Sequence, residues 1–154
     1  MRQKQNRRKI CLISSSGGHY EQLKMLEPLS EYHDLFWVTE KVDYSLDADY
    51  FLYQTGMRDK LFLLKMFLNL MKSIKIWIKE KPDFVITTGA MVAIPMALIA
   101  KIMKKKLIFI ETYARVHGGT RTGKLMYKFA DLFIVQWESL KEEYPKAVYG
   151  GSIY

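Results

Sequence analysis

The clearest candidate for chemistry in this chain is a histidine that follows a run of serines and glycines. Residues 14–19 read Ser-Ser-Ser-Gly-Gly-His and join an apolar run to an amphipathic one. Glycine permits close approach of the backbone to a ligand, and the first turn of a helix offers free N–H groups to an anion. We therefore expect Ser16, Gly17 and Gly18 to contact a phosphate. A tight turn with a helix-capping serine is the structural alternative.

His19 stands at the mouth of this turn. A neutral imidazole there can take a proton from an acceptor hydroxyl, which makes His19 a candidate general base. A histidine in the first turn of a helix also serves as a capping or packing residue, and both interpretations stay open. The segment lacks the spacing of a dinucleotide-binding fingerprint and the Lys-Ser/Thr of a P-loop, so it does not by itself indicate a nucleotide cofactor.

Glu111 is the second candidate catalytic residue. It ends an apolar run, and Arg115 follows four residues later. An acid at the carboxyl end of a strand with an arginine nearby predicts an orienting ion pair inside a site, or a structural salt bridge that holds the loop.

The charge balance points to an anionic partner. Lysine and arginine number 24 against 16 acidic residues, which gives a net charge of +8. In the amphipathic segment 59–81, four lysines are expected on a polar arc opposite an apolar one, as in helices that lie on an anionic membrane. They are Lys65, Lys72, Lys75 and Lys79. A solvent-exposed helix is the alternative, and no recognised nucleic-acid module accompanies the charge, so nucleic acid is not expected as a partner.

The remaining composition indicates a peripheral protein on the cytoplasmic face of the cell membrane. Residues 1–8 form a basic segment that we expect to be flexible, and the apolar run 10–13 is too short for a signal peptide. The uncharged stretch 84–100 falls short of a membrane-spanning helix. Cys11 is the single cysteine, and carboxylates do not cluster, so neither a disulfide nor a metal site is expected.

Strand-like and helix-like patterns alternate along the whole sequence. Strands are predicted at 9–15, 35–38, 50–53, 83–87, 107–111, 132–136 and 147–149, and helices at 19–29, 59–81, 91–104, 123–130 and 139–144. Such alternation predicts an α/β fold: one Rossmann-like domain, 1–154, with a parallel sheet and helices on both faces. Ligands bind such sheets outside the carboxyl ends of the strands, which adds Gly89 to the candidate residues.

Several segments together resemble a known family. They are Ser-Gly-Gly-His at 16–19, Trp-Val-Thr-Glu at 37–40, Pro-Asp at 82–83, Glu-Thr-Tyr-Ala-Arg-Val at 111–116, Gly-Lys-Leu at 123–125, Val-Gln-Trp at 135–137, Tyr-Pro at 144–145 and Tyr-Gly-Gly at 149–151. The combination resembles the membrane-anchor subunit of the eukaryotic diphosphodolichol N-acetylglucosaminyltransferase. It is more similar still to bacterial counterparts from capsule and exopolysaccharide clusters.

The resemblance implies the N-terminal lobe of a GT-B glycosyltransferase whose donor-binding half is a second protein. This chain would bind a polyprenyl-diphosphate-linked sugar, while the partner subunit holds most of the nucleotide sugar, and no cofactor of its own is implied. The glycine turn and His19 would face the lipid diphosphate, with Glu111 and Arg115 shaping the cleft. An inverting transfer of galactose onto lipid-linked glucose is the leading expectation.

Two other functions remain open from the sequence. The chain could be a non-catalytic scaffold that recruits and activates a transferase, or a self-sufficient nucleotide-binding enzyme of the Rossmann type. Eukaryotic members of the family carry an N-terminal membrane span. Since the residues of this chain show the resemblance without such a span, we expect the basic N-terminus and the amphipathic helix to supply attachment.

Overall fold

A parallel sheet forms the centre of the protein, as the alternating pattern predicts. The computed structural model describes residues 7–44, 46–56 and 58–154. Within them the strands are β1 Lys9–Ser14, β2 Asp34–Glu40, β3 Tyr50–Leu52, β4 Phe84–Gly89, β5 Lys106–Ile110, β6 Leu132–Val135 and β7 Val148–Tyr149. Their order in the sheet is β3-β2-β1-β4-β5-β6-β7, and every neighbouring pair is parallel.

Four α-helices connect the described strands. They are α1 Gly18–Lys24, α2 Phe62–Glu80, α3 Ile94–Ile102 and α4 Arg121–Met126, with 3₁₀ turns at Glu27–Glu31, Met91–Ala93 and Glu138–Glu142. Side chains of α2, α3 and α4 pack on one face of the sheet, and Leu23 of α1 packs on the other. The predicted fold class, a parallel sheet covered on both faces, is confirmed.

Alternation along β1 divides its side chains between the two cores. Cys11 and Ile13 face the core under α2 and α3, whereas Ile10 and Leu12 face the core under α1. Because both faces are covered, the strand reads as a continuous apolar run rather than an alternating one. Burial raises the pKa of the Cys11 thiol far above its ordinary value, so Cys11 is a protonated core residue.

Helix boundaries differ from the prediction where local chemistry intervenes. The predicted helix 19–29 ends at Lys24, and the chain continues as a 3₁₀ turn because Pro28 has no N–H to donate. In contrast, α4 begins at Arg121, two residues earlier than predicted, because the hydroxyl of Thr120 accepts from the N–H of Gly123 over 2.9 Å.

The basic N-terminal segment is described only from Arg7 onward, so most of the predicted flexible range 1–8 lies outside the described residues. Arg7 Nε lies 2.8 Å from Asp34 Oδ1, and the same guanidinium donates to the carbonyls of Ser30 and His33. These bonds tie the chain just before β1 to the start of β2 and the residues before it.

Candidate active site at the strand ends

The candidate site lies where the direction of the chain crossovers reverses. From β1 the chain proceeds to β2 on one side, whereas from β4 it proceeds to β5 on the other. A crevice opens outside the carboxyl ends of two such neighbouring strands, and ligands of open α/β sheets bind there. In this protein the exit of β1 carries the glycine turn and His19, and the exit of β4 carries Gly89. The predicted residues of these two loops are therefore brought together.

Two hydrogen bonds fix His19 to the end of β4. Its Nδ1 lies 2.8 Å from the carbonyl oxygen of Thr88, and the Thr88 hydroxyl donates to the carbonyl of His19 over 2.7 Å. A carbonyl oxygen can only accept, so Nδ1 carries the hydrogen and the neutral ring has its lone pair on Nε2. In this tautomer Nε2, which is turned away from Thr88, is the nitrogen that can accept a proton.

The backbone of the glycine turn lies open. Gly17 has φ +72°, and no atom lies within 4 Å of the position that a Cβ would take on Gly17 or Gly18. Helix α1 has only seven residues, which is shorter than predicted, so its dipole is a small contribution to anion binding. The open surface of the turn, rather than the helix, is the feature that favours close approach of a ligand.

Two hydrogen bonds to the buried carboxylate of Glu40 fix the position of Ser16. Both its N–H and its hydroxyl donate to Glu40 Oε1, over 3.2 and 3.0 Å. The adjacent Thr39 donates its hydroxyl to the carbonyl of Ser14 over 3.0 Å. The Trp-Val-Thr-Glu segment at the end of β2 therefore supports the turn, and both Ser16 donors are used within the protein.

The exit of β4 has an unusual backbone. Gly89 has φ +113°, and the next residue, Ala90, has φ +70° and ψ 163°, a conformation that costs a non-glycine residue about 1–3 kcal/mol. A Cβ on Gly89 would lie 3.7 Å from His19 Cε1 and 3.4 Å from Phe109 Cζ. These are ordinary van der Waals distances, so the positive φ rather than a lack of space favours glycine at position 89.

Glu111 is completely buried, and its carboxylate accepts hydrogen bonds from the loop that follows it. Its carboxylate accepts from the N–H of Thr112 over 3.0 Å, from the N–H and hydroxyl of Thr120, and from the hydroxyl of Tyr144 over 3.1 Å. Burial and the Glu111 carboxylate raise the pKa of Tyr144, which keeps its hydroxyl protonated as a donor. A Cβ on Gly123 would collide with Glu111 Oε2, which explains the glycine there.

Arg115 does not pair with Glu111, contrary to the ion pair considered from their spacing. Arg115 is exposed, and the structure forms no salt bridge between these two described residues. The carboxylate is satisfied by neutral donors from its own loop and from Tyr144, so it needs no cation. Arg115 stays on the outer surface of the loop beyond β5.

A buried amide network joins three strand exits, and the sequence patterns did not reveal it. Gln22 of α1 donates to the Thr112 hydroxyl over 3.2 Å and accepts from the Tyr113 N–H over 3.0 Å. Gln136, at the end of β6, donates to Gln22 Oε1 over 2.9 Å and to the Glu111 carbonyl over 3.0 Å. Gln22 lies one turn after His19, so the network holds the helix that carries the histidine.

The lysines of α2 lie beside an exposed apolar surface that the prediction did not separate from the core-facing one. The buried side of the helix carries Asn69, Ser73, Ile76 and Trp77, and the outward side is mostly apolar, with Lys75 and Lys79 exposed as well. Exposed side chains there are Leu63, Leu64, Phe67, Leu68, Met71 and Ile78. The lysines form a flank between this outward face and the sheet: Lys65 pairs with Asp59, and the other three line a groove beside β3.

The predicted apolar arc combined two surfaces, because apolar periodicity does not distinguish a face that meets the core from one that meets the surroundings. Among the helices of the described ranges, none has the length and apolar character that crossing a bilayer requires.

The described part of the chain also contains no group of histidine, cysteine or acidic residues able to hold a metal ion.

Comparison with known proteins identifies a family whose model matches most of this chain. Residues 60–153, more than half of it, match the family model described as oligosaccharide biosynthesis protein Alg14 like. The chain is 37% identical over 81 residues to the UDP-N-acetylglucosamine transferase subunit ALG14 of Homo sapiens, an alignment that covers 49% of this chain and 38% of that protein. The Yarrowia lipolytica protein of the same name is 27% identical and aligns with 97% of this chain and 83% of its own length.

Solved structures share the fold at low sequence identity. MurG of Acinetobacter baumannii superposes with a TM-score of 0.70 at 12% identity, covering 86% of this chain and 42% of MurG. UDP-N-acetylglucosamine 2-epimerase from Rickettsia bellii gives a TM-score of 0.74 at 19% identity, covering 96% and 46%. The chain thus corresponds to rather less than half of each larger protein, as a single lobe of a GT-B fold would. On the extent of its match to the family model, this chain belongs to the Alg14-like family of oligosaccharide biosynthesis proteins.

Proposed function

We propose that this chain is the acceptor-binding, membrane-associating subunit of a two-component glycosyltransferase that elongates a polyprenyl-diphosphate-linked saccharide. The observation that carries the proposal is the His19–Thr88 pair. It holds a histidine with a free Nε2 lone pair in the crevice between β1 and β4, beside an open glycine turn. Membership of the Alg14-like family supplies the reaction class.

The proposed chemistry is a single displacement with inversion. The acceptor hydroxyl oxygen forms a bond to the anomeric carbon of the donor as the bond from that carbon to the nucleotide diphosphate breaks. The hydroxyl proton passes to His19 Nε2, and the nucleotide diphosphate leaves as an anion. Gly17, Gly18 and Gly89 give the acceptor diphosphate close access to the backbone, and Arg115 adds a cation from the neighbouring loop.

Glu111 enters this proposal as a positioning residue. Because its carboxylate is buried under Thr120 and Tyr144, it shapes the loop that borders the cleft rather than contacting the sugar. Ser16 likewise orders the turn through Glu40.

We propose UDP-N-acetylglucosamine as the donor, bound mainly by a second subunit. The matched relatives are named as subunits of a UDP-N-acetylglucosamine transferase. This replaces galactose as the leading donor, since the comparisons offer no support for galactose or for a role in capsule or exopolysaccharide synthesis. The part of the chain that the structure describes forms one sheet, which is about the material of a single GT-B lobe.

Membrane association is proposed to occur through the outward face of α2 on the cytoplasmic side. Leu63, Phe67 and Ile78 are 81%, 58% and 65% exposed, an unusual concentration of apolar surface on one helix. Lysines flank this face, which is the arrangement of an interfacial helix on an anionic bilayer.

A non-catalytic scaffold is the second candidate function. One observation favours it: the only partners that the structure gives to the Glu111 carboxylate belong to its own loop and to Tyr144, as expected of a structural residue. In this alternative the chain would order its partner and the membrane while the partner alone performs the transfer.

Reconstitution separates these functions. The companion protein is identified by pull-down from the native host, and the chain, the companion and their mixture are each given UDP-N-acetylglucosamine or UDP-galactose with a polyprenyl-diphosphate-linked sugar. We expect transfer only in the mixture and only from UDP-N-acetylglucosamine. Transfer by the chain alone would contradict the two-component proposal.

Replacing His19 distinguishes a catalytic role of this chain from a scaffold role. A mixture containing His19→Ala is expected to lose about 10²- to 10⁴-fold in kcat, the usual contribution of a general base. His33→Ala, just before the amino end of β2 and away from the strand exits, is the matched control. Full activity of the His19→Ala mixture would favour the scaffold.

A further inference from the structure

A groove between β3 and α2 combines an apolar floor with a basic rim. It has a volume of 280 Å³ and is lined by Tyr50, Phe51, Lys72, Lys75, Ile76 and Lys79. Ile76 is buried in the core, and Phe51 is 38% exposed at the edge strand. The floor therefore belongs to the ordered core of the protein, while the mouth is open to the surroundings.

Contacts with the edge strand hold two of the ammonium groups at the mouth. Lys72 Nζ donates to the carbonyl of Phe51 over 3.1 Å and lies 4.0 Å from the centroid of the Tyr53 ring. Lys79 Nζ lies 5.2 Å from the centroid of the Tyr50 ring. Aromatic rings and carbonyls orient ammonium groups without neutralising their charge, so the rim stays positive.

Two acids, Glu80 and Asp49, act on the Lys79 end of this rim, and both have partners of their own. Glu80 forms a salt bridge with Lys9 and accepts from the Tyr50 hydroxyl, and the Lys9 bond is the main reason that the pKa of Glu80 is lowered. Its negative charge is thus balanced from the side of β1. The three lysines of the groove keep a net positive charge for a ligand.

The position of the groove suggests what enters it. The exposed side chains of Leu64, Leu68 and Met71 lie on the adjacent outward face of α2. A molecule that occupied the groove would place an anionic group among the lysines and an apolar portion against Phe51 and Ile76. This combination is that of a membrane lipid with a negatively charged headgroup.

We propose that the groove is a binding site for an anionic phospholipid, with the headgroup phosphate at Lys72, Lys75 and Lys79 and the first part of an acyl chain against Phe51 and Ile76. The site is separate from the His19 crevice and adds lipid selectivity to the apolar contact of α2. A free phosphate shares the headgroup chemistry but makes no use of the apolar floor.

A titration with short-chain phosphatidylglycerol below its micelle concentration tests the proposal on the full-length chain, by chemical shifts or by microscale thermophoresis. We expect saturable binding with one lipid per chain. Lys72→Gln, Lys75→Gln and Lys79→Gln together should weaken it by at least about tenfold. The charge-matched control replaces Lys128, Lys141 and Lys146, which lie toward the β7 edge, by glutamine and should change the affinity less than about twofold.

Titrations with other ligands and with one apolar variant distinguish a lipid-binding site from a site that binds any anion. Inorganic phosphate should bind at least about tenfold more weakly than the lipid, and Phe51→Ser, which keeps every charge, should weaken the lipid alone. Equal affinity for inorganic phosphate or for short-chain phosphatidylcholine would overturn the proposal, as would an equal loss in the charge-matched control. The measurement needs neither partner nor sugar transfer, so its failure and the failure of the proposed function are distinguishable.

Discussion

The side-chain amide of Gln136 donates a hydrogen bond of 2.9 Å to Gln22 Oε1, although 114 positions separate the two residues. Both side chains are buried, and each reaches the loop that follows β5, through Tyr113 and the Glu111 carbonyl. The bond therefore links the helix that carries His19, the loop that follows β5 and the end of β6. Because a buried polar group is costly when it is left unpaired, this cluster stabilises only one arrangement of the three segments.

Replacing Gln22 by methionine tests this cluster. The substitution keeps the side-chain size but leaves the Tyr113 N–H and the Gln136 amide without their acceptor. We expect the free energy of unfolding to fall by about 2–3 kcal/mol in urea denaturation. Gln54→Met, on an exposed position, is the matched control and should change stability by less than about 0.5 kcal/mol. A similar loss in both variants would contradict the assigned role of the network.

Gly18→Ala separates ligand contact from folding. No atom lies within 4 Å of the new methyl position, and alanine is a better helix former than glycine, so stability should be unchanged or slightly higher. If the acceptor diphosphate approaches this backbone, the methyl group should raise the KM for the lipid acceptor in the two-subunit mixture by about tenfold or more. An unchanged KM would place the diphosphate elsewhere.

The outward face of α2 can be tested without anionic lipid. Leu63→Gln combined with Phe67→Gln removes exposed apolar side chains that make no part of the buried core. Burial of each such side chain contributes about 1.5–3 kcal/mol, so binding to phosphatidylcholine vesicles should weaken by at least about tenfold in flotation assays. Leu125→Gln combined with Val148→Gln, two exposed apolar residues on other elements, should bind as the unmodified chain does.

A pH dependence follows from Asp83, at the amino ends of the strands. The hydrogen bond from Lys105, 2.9 Å long, is the main cause that lowers the pKa of this carboxyl below its ordinary value of 3.8. A carboxyl with a lowered folded-state pKa stabilises the fold above its unfolded pKa, and this stabilisation is lost as the pH falls through the folded-state value. Unfolding free energies measured between pH 6 and about 3 should decline less steeply in Asp83→Asn. The exposed Asp43→Asn should keep the original slope.

Much of the fold could be predicted from local patterns. The apolar run 9–15, the stop at Ser-Gly-Gly and the following helical spacing each depend on neighbouring residues, and alternation of such segments leaves a covered parallel sheet as the consistent arrangement. Because the carboxyl ends of parallel strands lie at one edge of a sheet, the same patterns also predicted that the glycine turn and Gly89 lie at that edge. Helix ends were less predictable, since a single cap such as Thr120 or a single Pro28 moves them.

The sequence by itself therefore determined the strand and helix alternation, the exit turn of β1 and the basic character of the chain. Only the tertiary structure decided that Glu111 is enclosed by Thr120 and Tyr144, that Gln22 meets Gln136, and that most of the exposed side chains of α2 are apolar. Periodicity along a chain shows that a helix has two faces, but what each face meets depends on residues far away in sequence, which folding alone brings into contact.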